Sequence, residues 1–191
     1  MSPMKMVLVF APWLAFLVIA QGSLFRLKIS LATALVLCVV LGVLRIHRGI
    51  ILWTGLVFFV LATVLVVGFE NGVVIKYMGM MTSGFLGLAA WIGIAVGKPF
   101  TLDYAREQVA KGVRESGEFI KSNVIVSSVW AFVFSLNALL AYGKANHFLM
   151  PGVAYEVFPN AMLVMTVVFT SWYTKRARAK RQRESPHATH G

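Results

Sequence analysis

Acidic residues are scarce in this chain. Only 7 of its 191 residues are Asp or Glu, and charged residues of both signs make up 13%, about half the soluble norm. No Asp or Glu falls near the middle of a long apolar run. That argues against a proton-coupled pump or symporter, which keeps at least one ionisable side chain inside the membrane. Cysteine is rarer still. A lone Cys38, inside an apolar run, excludes an internal disulfide and any Cys-based metal motif, and reads as a small core or lipid-facing residue. His47, His147, His187 and His190 all lie outside span centres, so the facing ligand pair of a transmembrane b-type haem is missing. The motifs HExxH, GxSxG, GxxxxGK[ST] and CxxC do not occur, and no Ser–His or Cys–His nucleophile pair can be nominated. These absences predict a protein that is not an enzyme and holds no metal or cofactor.

What is present is apolar length. Hydrophobic residues make up 59% of the chain and the mean hydropathy is +0.78. A stretch of about 20 apolar residues crosses the ~30 Å hydrocarbon slab as a helix. A β-barrel would instead show alternating segments of about 10 residues. The runs here are continuous, at Val7–Leu24, Ile29–Leu44, Ile50–Phe69, Val73–Val96, Val124–Tyr142 and Val157–Tyr173. They predict an all-α, polytopic transmembrane helical bundle of about six spans, or five if the first is not a full crossing. Lys5, the apolar stretch and Val18-Ile19-Ala20 also resemble a signal segment; residues 7–24 are read here as a retained span. The bundle occupies residues 1–174, with a polar loop at about 98–123. Residues 175–191 form a basic tail expected to be disordered.

The cations are unevenly placed. Arg26, Lys28, Lys76 and Lys144 fall on one side of the predicted bundle, and the remaining 14 of the 18 Lys and Arg fall on the other. This positive-inside bias puts both termini in the cytoplasm. The net charge of +11 is thereby read as topology and attraction to anionic lipid, not as nucleic-acid binding. The tail alone carries Lys175, Arg176, Arg178, Lys180, Arg181 and Arg183, directly after the interfacial aromatics Trp172 and Tyr173.

Two features inside the spans stand out. Gly79, Ser83, Gly87 and Ala90 share one helical face, continued by Gly93 and Gly97. Small residues let helix backbones approach closely, so this stripe predicts a central span, with a homodimer seam as the functional alternative. Asn137 is the deepest strong hydrogen-bonding side chain. With Ser127 and Ser83 it is the candidate lining of an intramembrane polar site.

The polar loop opens with "GKPFTLDYARE", Gly97–Glu107. Pro99 should end a helix or start a turn. Thr101 reads as an N-cap and Asp103 as a favourable first-turn charge. The spacing of Tyr104, Ala105, Val109 and Val113 predicts an amphipathic helix lying on the membrane face. Lys98, Pro99, Phe100, Thr101, Tyr104 and Arg106 are its candidate docking or lipid-facing residues. Asp103 and Glu107 are each within reach of a cation, Arg106 and Lys111 respectively, so they make a poor acid–base dyad.

Lys98-Pro99-Phe100-Thr101-Leu102-Asp103-Tyr104-Ala105-Arg106-Glu107 resembles a cytoplasmic-loop motif, Lys/Arg-Pro-Phe-Thr-x-x-Tyr-Ala-Arg/Lys-Glu, of small bacterial integral membrane proteins. Across about Ile51–Tyr142 the organisation is also distantly similar to the intracellular septation protein A family, through Lys98-Pro99 and a following Trp-containing span, here with Trp130. The resemblance implies a multi-pass protein of the bacterial inner membrane with an envelope or division-related scaffolding role. Its expected partners are anionic membrane lipids, and another membrane protein or a second copy of itself. The competing expectation is a small lipid or apolar-solute transporter.

Overall fold

Helix boundaries follow local turn chemistry. The computed structural model describes residues 3–20, 22–44, 50–106, 109, 111–148 and 152–184, and among them every regular element is helical. Between α1 (Pro3–Ile19) and α2 (Leu24–Val43), Gly22 takes φ +92, a left-handed conformation that glycine adopts without strain. The Ser23 hydroxyl then caps α2 by accepting from the Arg26 N–H. Helix α3 (Ile50–Thr63) runs into a π-helical turn, Val64–Gly68. The Asn71 side chain accepts from the N–H groups of Val73 and Val74 at 3.0 and 3.1 Å, starting the single turn α4 (Gly72–Lys76). Helix α5 (Met78–Ala95) follows at once, so the apolar run predicted as one span is divided at Tyr77. After the short α6 (Phe100–Arg106) and a 3-10 turn at Lys111–Val113, Ser116 caps α7 (Gly117–Ala145), and α8 (Gly152–Glu184) ends the described chain.

Among the described residues, five stretches are long and apolar enough to cross a membrane: Leu24–Val43, Ile50–Gly68, Met78–Ala95, Gly117–Ala145 and Val153–Lys180. The protein is an all-helical, multi-pass membrane protein on that count. The apolar part of α1, Phe10–Ile19, is shorter, yet α1 packs along α2 and α3.

Between helices in lipid, attraction comes from close packing more than from the hydrophobic effect. The chain uses small residues for this. Helices α5 and α7 form the central pair. A Cβ on Gly87 would lie 3.4 Å from Ser135 Oγ, and one on Gly79 would lie 3.4 Å from Ala141 Cβ. Gly79 and Gly87 of the small-residue stripe thus face α7 of the same chain, as expected of a central span, and the alternative of a homodimer seam does not apply to them. At Gly55 an added Cβ would meet Trp13 Nε1 at 3.2 Å and Cys38 Sγ at 3.3 Å, which is how α1 and α2 both reach α3. An aromatic cluster fills that junction, with ring centroids 4.9 Å apart for Trp13–Phe59 and 5.2 Å for Phe58–Phe85.

Helix α8 is attached more lightly. The Trp130 indole N–H donates to Thr170 Oγ1 at 3.0 Å, while Val153, Val157, Val164 and Val168 face outward. Its backbone stays helical through Glu184. The segment from Lys175 to Glu184, expected as disordered tail, instead extends the helix, since Ala, Arg, Lys and Gln are good helix formers. His187, His190 and the rest of the tail lie outside the described residues, as do Arg45–Arg48 and Glu107.

One end of the bundle gathers the few cations of the less basic side. Lys28 pairs with Glu70 across the α2–α3 ends, and Asn146 accepts from Lys76 Nζ and Tyr77 OH at 3.3 and 2.9 Å. The Lys28 hydrogen bond and charge hold the Glu70 carboxyl below its ordinary 4.5. A carboxyl depressed on folding stabilises above its unfolded value and loses that contribution as pH falls through the folded one. The stability difference between the wild type and Glu70→Gln should therefore shrink from about pH 7 to about pH 3. Thermal unfolding in mild detergent checks this, and a difference that stays flat with pH would remove the ion pair from the account.

Candidate functional site

The motif loop is built as a helix stop followed by a latch. Gly97, at φ +71, occupies the left-handed position after α5. The Lys98 N–H donates to Gly93 O at 2.8 Å and the Gly97 N–H to Ile94 O at 3.0 Å. These two bonds close a Schellman motif, which satisfies carbonyls at the helix end. Pro99 cannot continue the helix, and its carbonyl accepts from the Leu102 N–H at 2.8 Å to start α6.

Helix α6 then turns its apolar side inward. Phe100 is 1% exposed, Leu102 2% and Tyr104 7%. The Thr101 hydroxyl donates to Asn123 O at 3.1 Å, and Ser127 Oγ lies 2.9 Å from it. The Asn123 amide donates in turn to Phe119 O at 2.8 Å. This polar chain ties α6 to the first half of α7.

Two expectations change here. Thr101 is not the N-cap, because α6 already begins at Phe100 and the hydroxyl is turned toward α7. Phe100 and Tyr104 are core residues, not an exposed docking surface; their large apolar area is better covered by the bundle than by a lipid interface. Lys98, Asp103 and Arg106 remain exposed. Burial, followed by the Asp103 charge, pushes the Tyr104 phenol well above its ordinary value, so it stays protonated and offers no base.

Ser127 and Asn137, expected together, are separated. Ser127 belongs to the latch. Asn137 lies about 15 Å further along α7 at 1.5 Å per residue, in the wall of a cavity of about 260 Å³ between α1, α5, α7 and α8. Thr82 and Ser83 share that wall, as do Trp13, Phe16, Leu86 and Phe134. Asn137 is 5% exposed, and its Oδ1 accepts no hydrogen bond. A buried polar atom without a partner costs about 1–3 kcal/mol. Tyr155 and Lys144 also line the space. Neither was legible as a site residue: Tyr155 reaches the cavity from α8, and Lys144, at the end of α7, reads in sequence only as a helix-end cation.

The more basic end carries a second, open cleft of about 650 Å³ between α7 and α8, lined by Lys121, Ser122, Tyr173, Arg176 and Lys180 with Glu118. Glu118 lies 3.5 Å from Lys180, and Arg176 sits over the Trp172 ring at 5.4 Å. Among the described residues, no three His, Cys, Asp or Glu side chains converge as a metal site would require.

The chain matches no protein-family model, no curated protein and no solved structure among those compared with it.

Proposed function

We propose that this chain is a non-enzymatic protein of the bacterial inner membrane, an envelope or division-related scaffold or accessory subunit acting through its cytoplasmic, basic end. The observation that carries the reading is the cleft between α7 and α8. There, among the described residues, Lys121, Arg176 and Lys180 stand with a single carboxylate, Glu118. Lys175 and Arg178 extend the same charge along an exposed helix. Each cation near an anionic bilayer adds about 1 kcal/mol of attraction. The latch supports the reading in a different way, since it holds the loop rigid and leaves Lys98 and Arg106 outward on the same end.

Replacing Lys175, Arg176, Arg178 and Lys180 with Gln should reduce retention of phosphatidylglycerol and cardiolipin several-fold, with phosphatidylethanolamine unchanged. Native mass spectrometry from mild detergent measures both lipids and assembly state. Unchanged anionic-lipid retention would end the proposal for this surface.

The second reading, a carrier of a small lipid or apolar solute, is favoured by one observation: the unpartnered Asn137 amide oxygen in the wall of a cavity between the helices.

A further inference from the structure

The cavity wall changes character along its length. Helices α5 and α7 run antiparallel, with Gly79 opposite Ala141 and Gly87 opposite Phe134 and Ser135. Lys144 thus lies toward one end of the space and Leu86 with Phe134 toward the other, with Thr82, Ser83 and Asn137 between them. Asn137 is about two helical turns, or roughly 10 Å, from Lys144. Aromatic rings of α1, Trp13 and Phe16, close the apolar side.

The vacant position at Asn137 Oδ1 calls for a donor. The neighbouring Thr82 hydroxyl cannot supply it, because its proton is committed to Met78 O at 2.7 Å. Among the described residues of the wall, Lys144 is the only ionisable side chain apart from the Tyr155 phenol. A charged ligand at the depth of Asn137 would therefore lie in an apolar region without a counter-ion, an expensive arrangement. Water could reach the amide, since Ser83, Tyr155 and Asn160 also line the space, but it would leave the apolar part of the wall, Trp13, Phe16, Leu86 and Phe134, uncovered.

We propose that this cavity binds one neutral, hydroxyl-bearing apolar molecule, a phenol or a long-chain alcohol. Its hydroxyl donates to Asn137 Oδ1 and can also bond Ser83, while its apolar body lies against Trp13, Phe16 and Phe134. The inference rests on the carrier reading for its setting, but a bound ligand does not have to be moved across the membrane.

The test uses the full chain in zwitterionic nanodiscs and brominated quenchers of tryptophan fluorescence, with Trp13→Phe assigning the signal. The probes are para-bromophenol and an ω-bromo long-chain alcohol, each against its hydroxyl-free match, bromobenzene and the bromoalkane. Saturable quenching by a hydroxylated probe, at least about tenfold tighter than its match, is expected from one buried hydrogen bond. Asn137→Leu should erase that tenfold preference while leaving the match unchanged. Preference confined to the phenol assigns a free solute, and preference confined to the alcohol assigns a lipid-borne chain. Equal affinity for probe and match, or a preference that survives Asn137→Leu, overturns the proposal. Should Asn137→Leu not fold, Ser83→Phe fills the space and must abolish saturable quenching; persistence again overturns it. Transport of the bound probe into vesicles is scored separately. Binding without movement ends the carrier reading and leaves this site standing.

Discussion

Truncating Phe100 to alanine should unlatch α6 and cost about 3–5 kcal/mol, the range for emptying a buried aromatic site. The ring is 1% exposed, and Pro99 and Leu102 beside it are also fully buried. The Schellman turn on one side and the Thr101–Ser127 contact on the other leave the backbone little freedom to close the void. The loss should be read as earlier unfolding in a denaturing-detergent titration, with faster proteolysis between α6 and α7. Asp103→Ala and Arg106→Ala, on the exposed side of the same helix, should stay within about 0.5 kcal/mol of wild type. If Phe100→Ala costs no more than those two, the ring does not belong to the core and the docking-surface reading of the motif returns.

Gly93→Ala is the second large effect, and its sign is unusual for a helix. A methyl group there would lie 2.9 Å from the Lys98 carbonyl oxygen. That oxygen is backbone, held by the turn that closes on Gly93 itself, so it cannot swing aside as a side chain would. Overpacking of this kind costs about 1–3 kcal/mol. Gly84, in the same helix, has nothing within 4 Å of an added Cβ. Gly84→Ala should therefore gain about 0.5–1 kcal/mol from reduced backbone freedom. The two variants differ by one methyl each, and opposite shifts in melting temperature check both. A Gly93→Ala protein as stable as Gly84→Ala would falsify the tight turn.

The helix breaks show how far local sequence reaches. Gly97-Lys98-Pro99 marks the end of α5 through residues that act on their own backbone, and the structure stops the helix there. Amphipathic spacing predicted one apolar face through Tyr104, Ala105, Val109 and Val113, but α6 ends at Arg106 and its buried side is Phe100, Leu102 and Tyr104, a side set by what covers it. Whether Phe100 and Tyr104 meet lipid or the start of α7 depends on a contact between segments more than twenty residues apart. The small-residue stripe had the same ambiguity. Its spacing required a close neighbour, and only the packed bundle assigns Gly79 and Gly87 to α7, Gly93 to its own loop and Ser83 to a cavity.

The sequence by itself determined the helical class, the apolar segments of crossing length and the uneven placement of cations. Hydropathy, charge and turn chemistry belong to each segment alone, so they can be read without knowing what it touches. The tertiary structure alone decided that the motif is a latch, that Ser127 and Asn137 serve different places, and that one amide oxygen is left without a donor beside an apolar cavity. Those are properties of contacts between distant segments, where a side chain's role is set by its neighbours across the bundle.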